Sequence, residues 1–487
     1  MASLKKKLKL QINDRSIDDL NLLSNPLDVV ASIIWKLKSI RRLQLIFVFF
    51  FSVLCCASEV VSLALVLPFL IVINNPEKIW EIPFAKTMSF SLGLYDSDQL
   101  LLPILVIFIV AVLLSGCIRL FNLWFSNYLS RSIGLDISSE IYERVLYSEY
   151  SYHLKANSSK IIATFTTHVS VAIAVIRSLL DLCSSLFVSV GILVGLFFID
   201  WNIALASISV FGSAYLVLAF IIRPILIFNS NIVAKETEKQ VQLIQEGLGS
   251  IRDVILDSNQ PTYLDIFKTA DNSMRSQDAQ NQFLGVVPRY ALEMLGVILI
   301  ALSAFFLVVK NDNGVFVVPV LGAFALGSQK LLPALQQIFQ GWSYMNSSLA
   351  SLLEVLKMLD LPIAKKTSKS ETKYLFSQIK FNNVSFNYLD NELKALDKIN
   401  LVINAGESIG IIGETGSGKS TTIDLLMSLI QPSSGSIYID DKDLHDLSYE
   451  DNLASWRNSI SHVPQKLYFI DSSFAENIAF GVPKDLI

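Results

Sequence analysis

Long apolar runs alternate with long amphipathic stretches along this chain, and the apolar runs cease after Trp342. A helix needs ~20 apolar residues to cross the hydrocarbon of a bilayer. Six stretches qualify: Leu43–Ile73, Leu100–Phe125, Val171–Ile199, Ile203–Ile222, Gly285–Val309 and Val315–Phe339. Only Asp200, Trp201 and Asn202 separate the third from the fourth, which predicts a tight hairpin between two spans. The connections Ser126–Ser170 and Arg223–Leu284 are long and rich in helix formers, and KETEKQVQLIQEGLGSIRDVILD is amphipathic rather than loop-like. The pattern predicts membrane helices that continue well beyond the bilayer. They turn back near Ser148–Ser151 and near Gly247 and Gly249, where they can dock on a cytoplasmic domain.

The flanking charges set the orientation. Lys5, Lys6, Lys7, Lys9, Arg15, Lys36, Lys38, Arg41 and Arg42 precede the first span and place the N-terminus in the cytoplasm. The loop Asn74–Gln99 then lies outside, and six spans return the chain to the cytoplasm. Within that loop IWEIPFAKTMSFSLGL is amphipathic enough for a short interfacial helix, with a solvated loop as the alternative. The N-terminus has no apolar run behind its lysines, which argues against a cleaved signal peptide.

Composition agrees with a chain held mostly in lipid. It is 52% hydrophobic and 17% charged over 487 residues, with mean hydropathy +0.50, against roughly 25% charged in soluble domains. A net charge of -4 offers no basic footprint for nucleic acid. Cys55, Cys56, Cys117 and Cys183 lie in apolar runs and read as buried thiols, with no spacing that suggests a metal. The expected division is a cytoplasmic segment 1–42, a membrane domain 43–345, a polar linker 346–378 and an α/β domain 379–487.

In the last segment IKFNNVSFNY and KINLVINAGESIGIIG read as strands, and TTIDLLMSLI reads as a helix. Between them Gly413, Glu414, Thr415, Gly416, Ser417, Gly418, Lys419, Ser420 and Thr421 fit the G-x-x-x-x-G-K-[ST] phosphate loop. Glycines let backbone N–H groups turn inward around an anion, and the following helix aims its positive end there. Lys419 is expected on the β- and γ-phosphates of ATP and the Ser420 hydroxyl on Mg²⁺.

The phosphate loop, VSFNY before it, and VPQ and ENIAFG after it resemble the nucleotide-binding domain of ABC transporters. The resemblance implies that Tyr388 stacks on adenine and that Gln465 contacts Mg²⁺ and the attacking water. An ordinary strand tyrosine and a surface glutamine are the bland alternatives. The family's LSGGQ-like signature, its acidic strand with a catalytic Glu and its switch His do not occur before Ile487. Leu467–Asp471 imitates the acidic strand but follows Gln465 too closely and has Ser472 where Glu is required. His445 and His462 read as structural. The chain is therefore expected to be part of a longer frame, with a separate second chain or a degenerate protein as alternatives. As it stands it lacks the groups for hydrolysis.

Together with the spans, the resemblance is to exporter-type ABC transporters. EVVSLALVLPFLIVINNPEKIW, YHLKANSS and LGAFALGSQKLLPALQQI look like lipid-linked oligosaccharide flippases. It implies a multi-domain membrane protein, a six-helix transmembrane domain followed by a partial α/β P-loop NTPase domain. Such a protein sits in the cell (inner) membrane, works as a homodimer with a complete subunit, and flips a lipid-linked amphiphile. An exporter of a peptide, a drug or another lipid such as a glycolipid, and a silent ATP-binding membrane protein, are the rival readings. A membrane-tethered P-loop kinase fits Tyr388 and Gln465 less well. Glu59, Arg119, Arg177, Asp181, Arg289, Glu293 and Lys330 lie inside the spans, where charge is costly and usually functional. Arg119, Arg177, Arg289 and Lys330 could grip a pyrophosphate, since Arg forks onto phosphate oxygens. Alternatively, Arg177/Asp181 and Arg289/Glu293 neutralise themselves at i,i+4.

Overall fold

The structure, a computed structural model, describes residues 25–74, 76–80, 95–199, 201–310, 317–363, 376–388, 394–445, 450–465 and 468–487. The basic residues Lys5, Lys6, Lys7, Lys9 and Arg15, and most of the expected interfacial helix, lie outside them. The chain divides into two compact units: Met1–Leu146 with Ala156–Pro362, and Tyr147–Lys155 with Ile363–Ile487.

The first unit is helical. α1 (Pro26–Lys36) opens with Pro at its start and Asp28 in its first turn, where a missing N–H costs nothing and a negative charge meets the positive helix end. Then follow α2 (Ser39–Ala64), α3 (Val66–Asn74), α4 (Leu101–Leu146), α5 (Val169–Ile199), α6 (Trp201–Gly249), α7 (Gln260–Lys310), α8 (Val317–Ser347) and α9 (Leu349–Leu359). α4, α6 and α7 have 46, 49 and 51 residues. At ~1.5 Å per residue each is about 70 Å long, more than twice the ~30 Å hydrocarbon thickness. The amphipathic connections are thus continuations of the membrane helices.

Among the described residues four stretches are long and apolar enough to cross a membrane: Ser39–Ile73, Leu101–Leu146, Ser158–Phe198 and Ile208–Gly249. These overlap the first four expected spans without matching their bounds. The fifth and sixth fall in α7 and α8, and the expected count of six is not established by the described residues. α6 begins at Trp201, so the hairpin between α5 and α6 is shorter than the three residues anticipated.

The expected linker differs in structure. α9 lies within it, and Leu352, Val355 and Leu356 are buried in one core with Val29, Val30 and Ile33 of α1, Leu129, Ile133 and Ile141 of α4 and Ile176 of α5. The apolar positions of LASLLEVLKML recur at helical spacing, and that stripe outweighs the polar look of the residues after it. Lys36 pairs with Asp360, and Arg41 with Asp136 at 2.7 Å.

α5 is approached through a short helix, Ser158–Ala163, capped by Asn157, whose Oδ1 accepts from the Ser159 N–H at 3.0 Å. A π-turn, Thr164–His168, follows before α5 begins. His168 is buried there, with Nδ1 3.1 Å from Ser351 Oγ. Nearby, Lys160 and Lys357 lie 2.7 and 2.9 Å from the Glu354 carboxylate. Burial pushes that carboxyl up, but hydrogen bonds and charge from the two lysines outweigh it and hold it below the usual range.

The second unit carries an antiparallel sheet in the order β2-β1-β3-β4, with β1 Gln378–Phe386, β2 Leu396–Asn404, β3 Ser434–Ile439 and β4 Lys442–Asp443. Phe381 pairs with Leu401 on one side and Ile437 on the other, and its side chain is buried. β1 bulges between Phe381 and Val384, where Asn383 has φ 51. Gly435 passes so close that a Cβ would lie 2.2 Å from the Asn383 carbonyl oxygen. α10 (Lys419–Leu426) and α11 (Glu450–Asn458) complete the elements used below.

One sequence expectation fails in this unit. IKFNNVSF and KINLVIN form β1 and β2, but ESIGIIG, residues 407–413, forms no strand. Backbone groups need a ladder partner to hold a strand, and no described strand flanks this segment. Ile412 is 94% exposed as a result.

Candidate nucleotide site

The site is built on the turn into α10. Gly418 caps the helix at φ 88, ψ 9, a left-handed conformation that an L side chain rarely adopts. A Cβ on Gly418 would also meet the Ala395 carbonyl oxygen at 2.6 Å. The loop is drawn around the Lys419 ammonium, which donates to the carbonyls of Gly413 at 2.8 Å and Glu414 at 2.6 Å. The Ser417 N–H closes the turn on the Glu414 carbonyl at 3.2 Å. Thr422 Oγ1 donates to the Gly418 carbonyl at 3.0 Å. A ring of backbone, a lysine at its centre and a helix N-terminus thus converge at one point, the donor set that anions favour.

Of the residues singled out from sequence, the structure brings Tyr388 to this turn. Its hydroxyl lies 3.2 Å from Thr421 Oγ1 on the first turn of α10. Its ring meets Phe386 edge-on, with centroids 4.9 Å apart. Ser420 and Gln465 are exposed and share no hydrogen bond. Glu414, Thr415, Gly416 and Ser417 form the exposed rim of the loop.

Sequence reasoning missed the clamp at the far end of α10. Trp456 Nε1 donates to the Leu426 carbonyl at 2.9 Å, and Arg457 to the Ser428 carbonyl at 2.5 Å. Both come from α11 and satisfy carbonyls that a helix end leaves open. The dipeptide Trp-Arg carries no local signal for this role. The helix Phe474–Ile478 was missed as well, although its signal is local. Ser473 and Glu476 form a capping box, with the Glu476 N–H donating to Ser473 Oγ at 3.3 Å and the Ser473 N–H to Glu476 Oε2 at 3.1 Å. Hydrogen bonds from Ser472 and Ser473 pull the Glu476 carboxyl down to about 2. Asn477 donates to the Ile470 carbonyl at 3.1 Å and accepts from the Ile470 N–H at 2.9 Å, so the ENIAFG residues brace the chain after Gln465.

The ionisable residues of the spans divide into two groups. Lys330 donates to Glu59, 2.6 Å away, and to Ser62 at 2.8 Å. Arg177 Nε lies 3.9 Å from Asp181. Arg289 forms no ion pair with Glu293 and instead lies 5.9 Å from the centre of the Tyr290 ring. Arg119 is exposed and has no ion-pair partner among the described residues.

Long apolar helices joined to a unit with a phosphate loop define a membrane protein with a nucleotide-type site. The family profile described as ABC transporter transmembrane region matches residues 45–332, and the one described as ABC transporter matches residues 396–485. The chain belongs to the ABC transporter family, with the fused membrane and ATP-binding-type domains of an exporter. It is 25% identical over 410 residues to an ATP-dependent lipid A-core flippase of Shewanella sp. (strain MR-4), covering 81% of this chain and 65% of the relative. A protein of the same description from Methylococcus capsulatus is 24% identical over 372 residues, covering 73% of this chain and 59% of the relative. The chain thus spans about 65% of the length of the first of these relatives. A bacterial Atm1-family ABC exporter, solved with ATP bound, shares the fold at TM-score 0.67 and 16% identity, over 92% of this chain and 75% of that one.

Proposed function

We propose that this chain is a half-subunit of an ATP-driven exporter that flips a lipid-linked, oligosaccharide-type amphiphile across the cell (inner) membrane. The observation that carries the reading is the loop Gly413–Thr421 wrapped around the Lys419 ammonium at the start of α10. Lys419 now rests on two backbone carbonyls, which a phosphate oxygen can replace without moving the loop. A nucleotide triphosphate fits this donor set: Lys419 and the loop amides hold the phosphates, Ser420 and Gln465 hold Mg²⁺, and Tyr388 faces the base. Bound ATP supplies the free energy for the transport cycle. Lys419 neutralises phosphate charge, Gly418 lets the backbone approach, and α11 fixes α10 behind it.

The membrane part is proposed as six spans, residues 43–345, with the N-terminus and residues 379–487 in the cytoplasm. A homodimer is the proposed assembly. The grouping of Tyr147–Lys155 with the second unit supports a role for the turn at Ser148–Ser151 in passing motion to the spans. The flippase names of the relatives support a lipid-type cargo. With Lys330 and Arg177 near carboxylates, Arg119 and Arg289 are the proposed grips for cargo phosphate.

The test uses the full chain in lipid nanodiscs. A fluorescent ATP analogue should bind, and Lys419→Ala should weaken binding at least tenfold with unchanged thermal unfolding. Equal binding by the variant would overturn the nucleotide reading. Reconstituted in vesicles, Arg119→Ala should slow flipping of a fluorescent polyprenyl-pyrophosphate sugar while ATP binding stays intact. Unchanged flipping would remove the cargo reading alone.

A further inference from the structure

A second site lies in the first unit. A cavity of about 570 Å³ is lined by Leu216, Ala219, Phe220 and Arg223 of α6 and by Trp342 and Met345 of α8, beside the start of α1. Its volume is that of a pocket for one small amphiphile. Its walls are apolar except for Arg223 and two asparagines, and no carboxylate is among them. Arg223 is exposed and has no hydrogen-bond or ion-pair partner among the described residues. By contrast Lys36 is matched by Asp360 and Arg41 by Asp136.

The depth of the cavity follows from the chain. Arg223 is the first charged residue after the apolar run Ile203–Ile222, and Trp342 stands just beyond the run Val315–Phe339. Both runs end on the same side in the proposed topology, the cytoplasmic one. Tryptophan and arginine at that level mark the headgroup region, with the apolar residues reaching inward. Pro224 sits inside α6 at the same level and removes one backbone N–H donor from the helix. A lone cation above an apolar slot between membrane helices matches a lipid with a negative headgroup, and the cytoplasmic leaflet supplies such lipids.

We propose that this cavity binds one anionic phospholipid of the cytoplasmic leaflet, with its phosphate on Arg223 and an acyl chain against Leu216, Ala219, Phe220 and Met345. The lipid is a resident ligand that ties together α1, α6 and α8, not the transported cargo. The proposal rests on the orientation given above and is independent of the nucleotide site.

Tryptophan quenching tests it on the full chain in phosphatidylcholine nanodiscs. Brominated phosphatidylglycerol or brominated phosphatidylcholine is added, and the Trp342 signal is taken as the difference between wild type and Trp342→Phe. The phosphatidylglycerol should quench Trp342 at about fivefold lower mole fraction, the effect of one basic residue on an anionic headgroup. Arg223→Glu should abolish that preference and Arg223→Lys should keep most of it. Ala219→Phe should fill the slot and block quenching by both lipids. Arg223→Glu should bind the ATP analogue as wild type does, so failure here leaves the nucleotide reading untouched. Equal quenching by both lipids, or an unchanged preference in Arg223→Glu, would overturn the proposal. So would quenching that emerges only after deletion of residues 1–24, which would make that segment the occupant.

Discussion

Lys330 on α8 reaches Glu59 on α2 at 2.6 Å, across 271 residues of sequence. Each side chain lies in an apolar run, where a lone charge is costly. Ser62, one turn above Glu59 on the same helix face, accepts a second hydrogen bond from the Lys330 ammonium at 2.8 Å. The pair therefore presents no net charge to its surroundings.

Glu59→Gln leaves the ammonium without its counter-charge. The Lys330 side chain is 37% exposed against 9% for Glu59, so the loss should be about 2 kcal/mol, below the ~3–5 kcal/mol of fully buried pairs. Glu59→Gln with Lys330→Met should recover most of it. Equilibrium unfolding in detergent measures both, and a Glu59→Gln variant as stable as wild type would mean the pair contributes nothing.

Gly418→Ala tests the turn rather than the lysine. A left-handed L residue costs about 1–2 kcal/mol, and its Cβ would press on the Ala395 carbonyl. The start of α10 must shift, and ATP-analogue binding should weaken at least tenfold while Lys419 is still present. Unaltered affinity would show that the loop tolerates a different path.

His445 gives the second unit a pH dependence. Burial pushes its imidazole below the ordinary value, the nearby Asp443 opposes this, and Arg457 adds to it. The unfolded chain takes up a proton near pH ~6.5 while the folded one resists. Stability is therefore full above that value and declines as pH falls from it toward the lowered folded value. Thermal unfolding between about pH 7.5 and about pH 5 should show a slope that His445→Gln reduces; an identical slope would assign it to other groups.

Leu352 is fully buried between α9 and its neighbours. Leu352→Ala should cost about 2–5 kcal/mol, read by chemical denaturation. A loss below about 0.5 kcal/mol would return residues 349–359 to the status of a linker.

The phosphate loop was legible because its chemistry is local. Gly418 and Lys419 must stand in sequence to turn the backbone and fill the turn. The capping box at Ser473 and Glu476 is equally local, yet it was not read from the sequence. The long helices were legible from apolar length and helix-forming composition. The Glu59–Lys330 pair and the Trp456–Arg457 clamp were not, since each depends on side chains brought together by packing. α9 was hidden by the polar residues that follow it, although its own apolar spacing was present. Ile409–Ile412 reads as a strand because it is apolar, yet a strand is completed by neighbours, and none flanks it among the described residues.

The π-turn Thr164–His168 ahead of α5 also bears on how this chain tolerates change in length. One wide loop of backbone absorbs a surplus residue without rotating the helix on either side. Ala163 before it and Ala172, Val175 and Ile176 after it keep their inward aim. Insertions and deletions of a single position are therefore best accommodated here, whereas the same change within α5 would swing every later side chain about 100° around the helix axis.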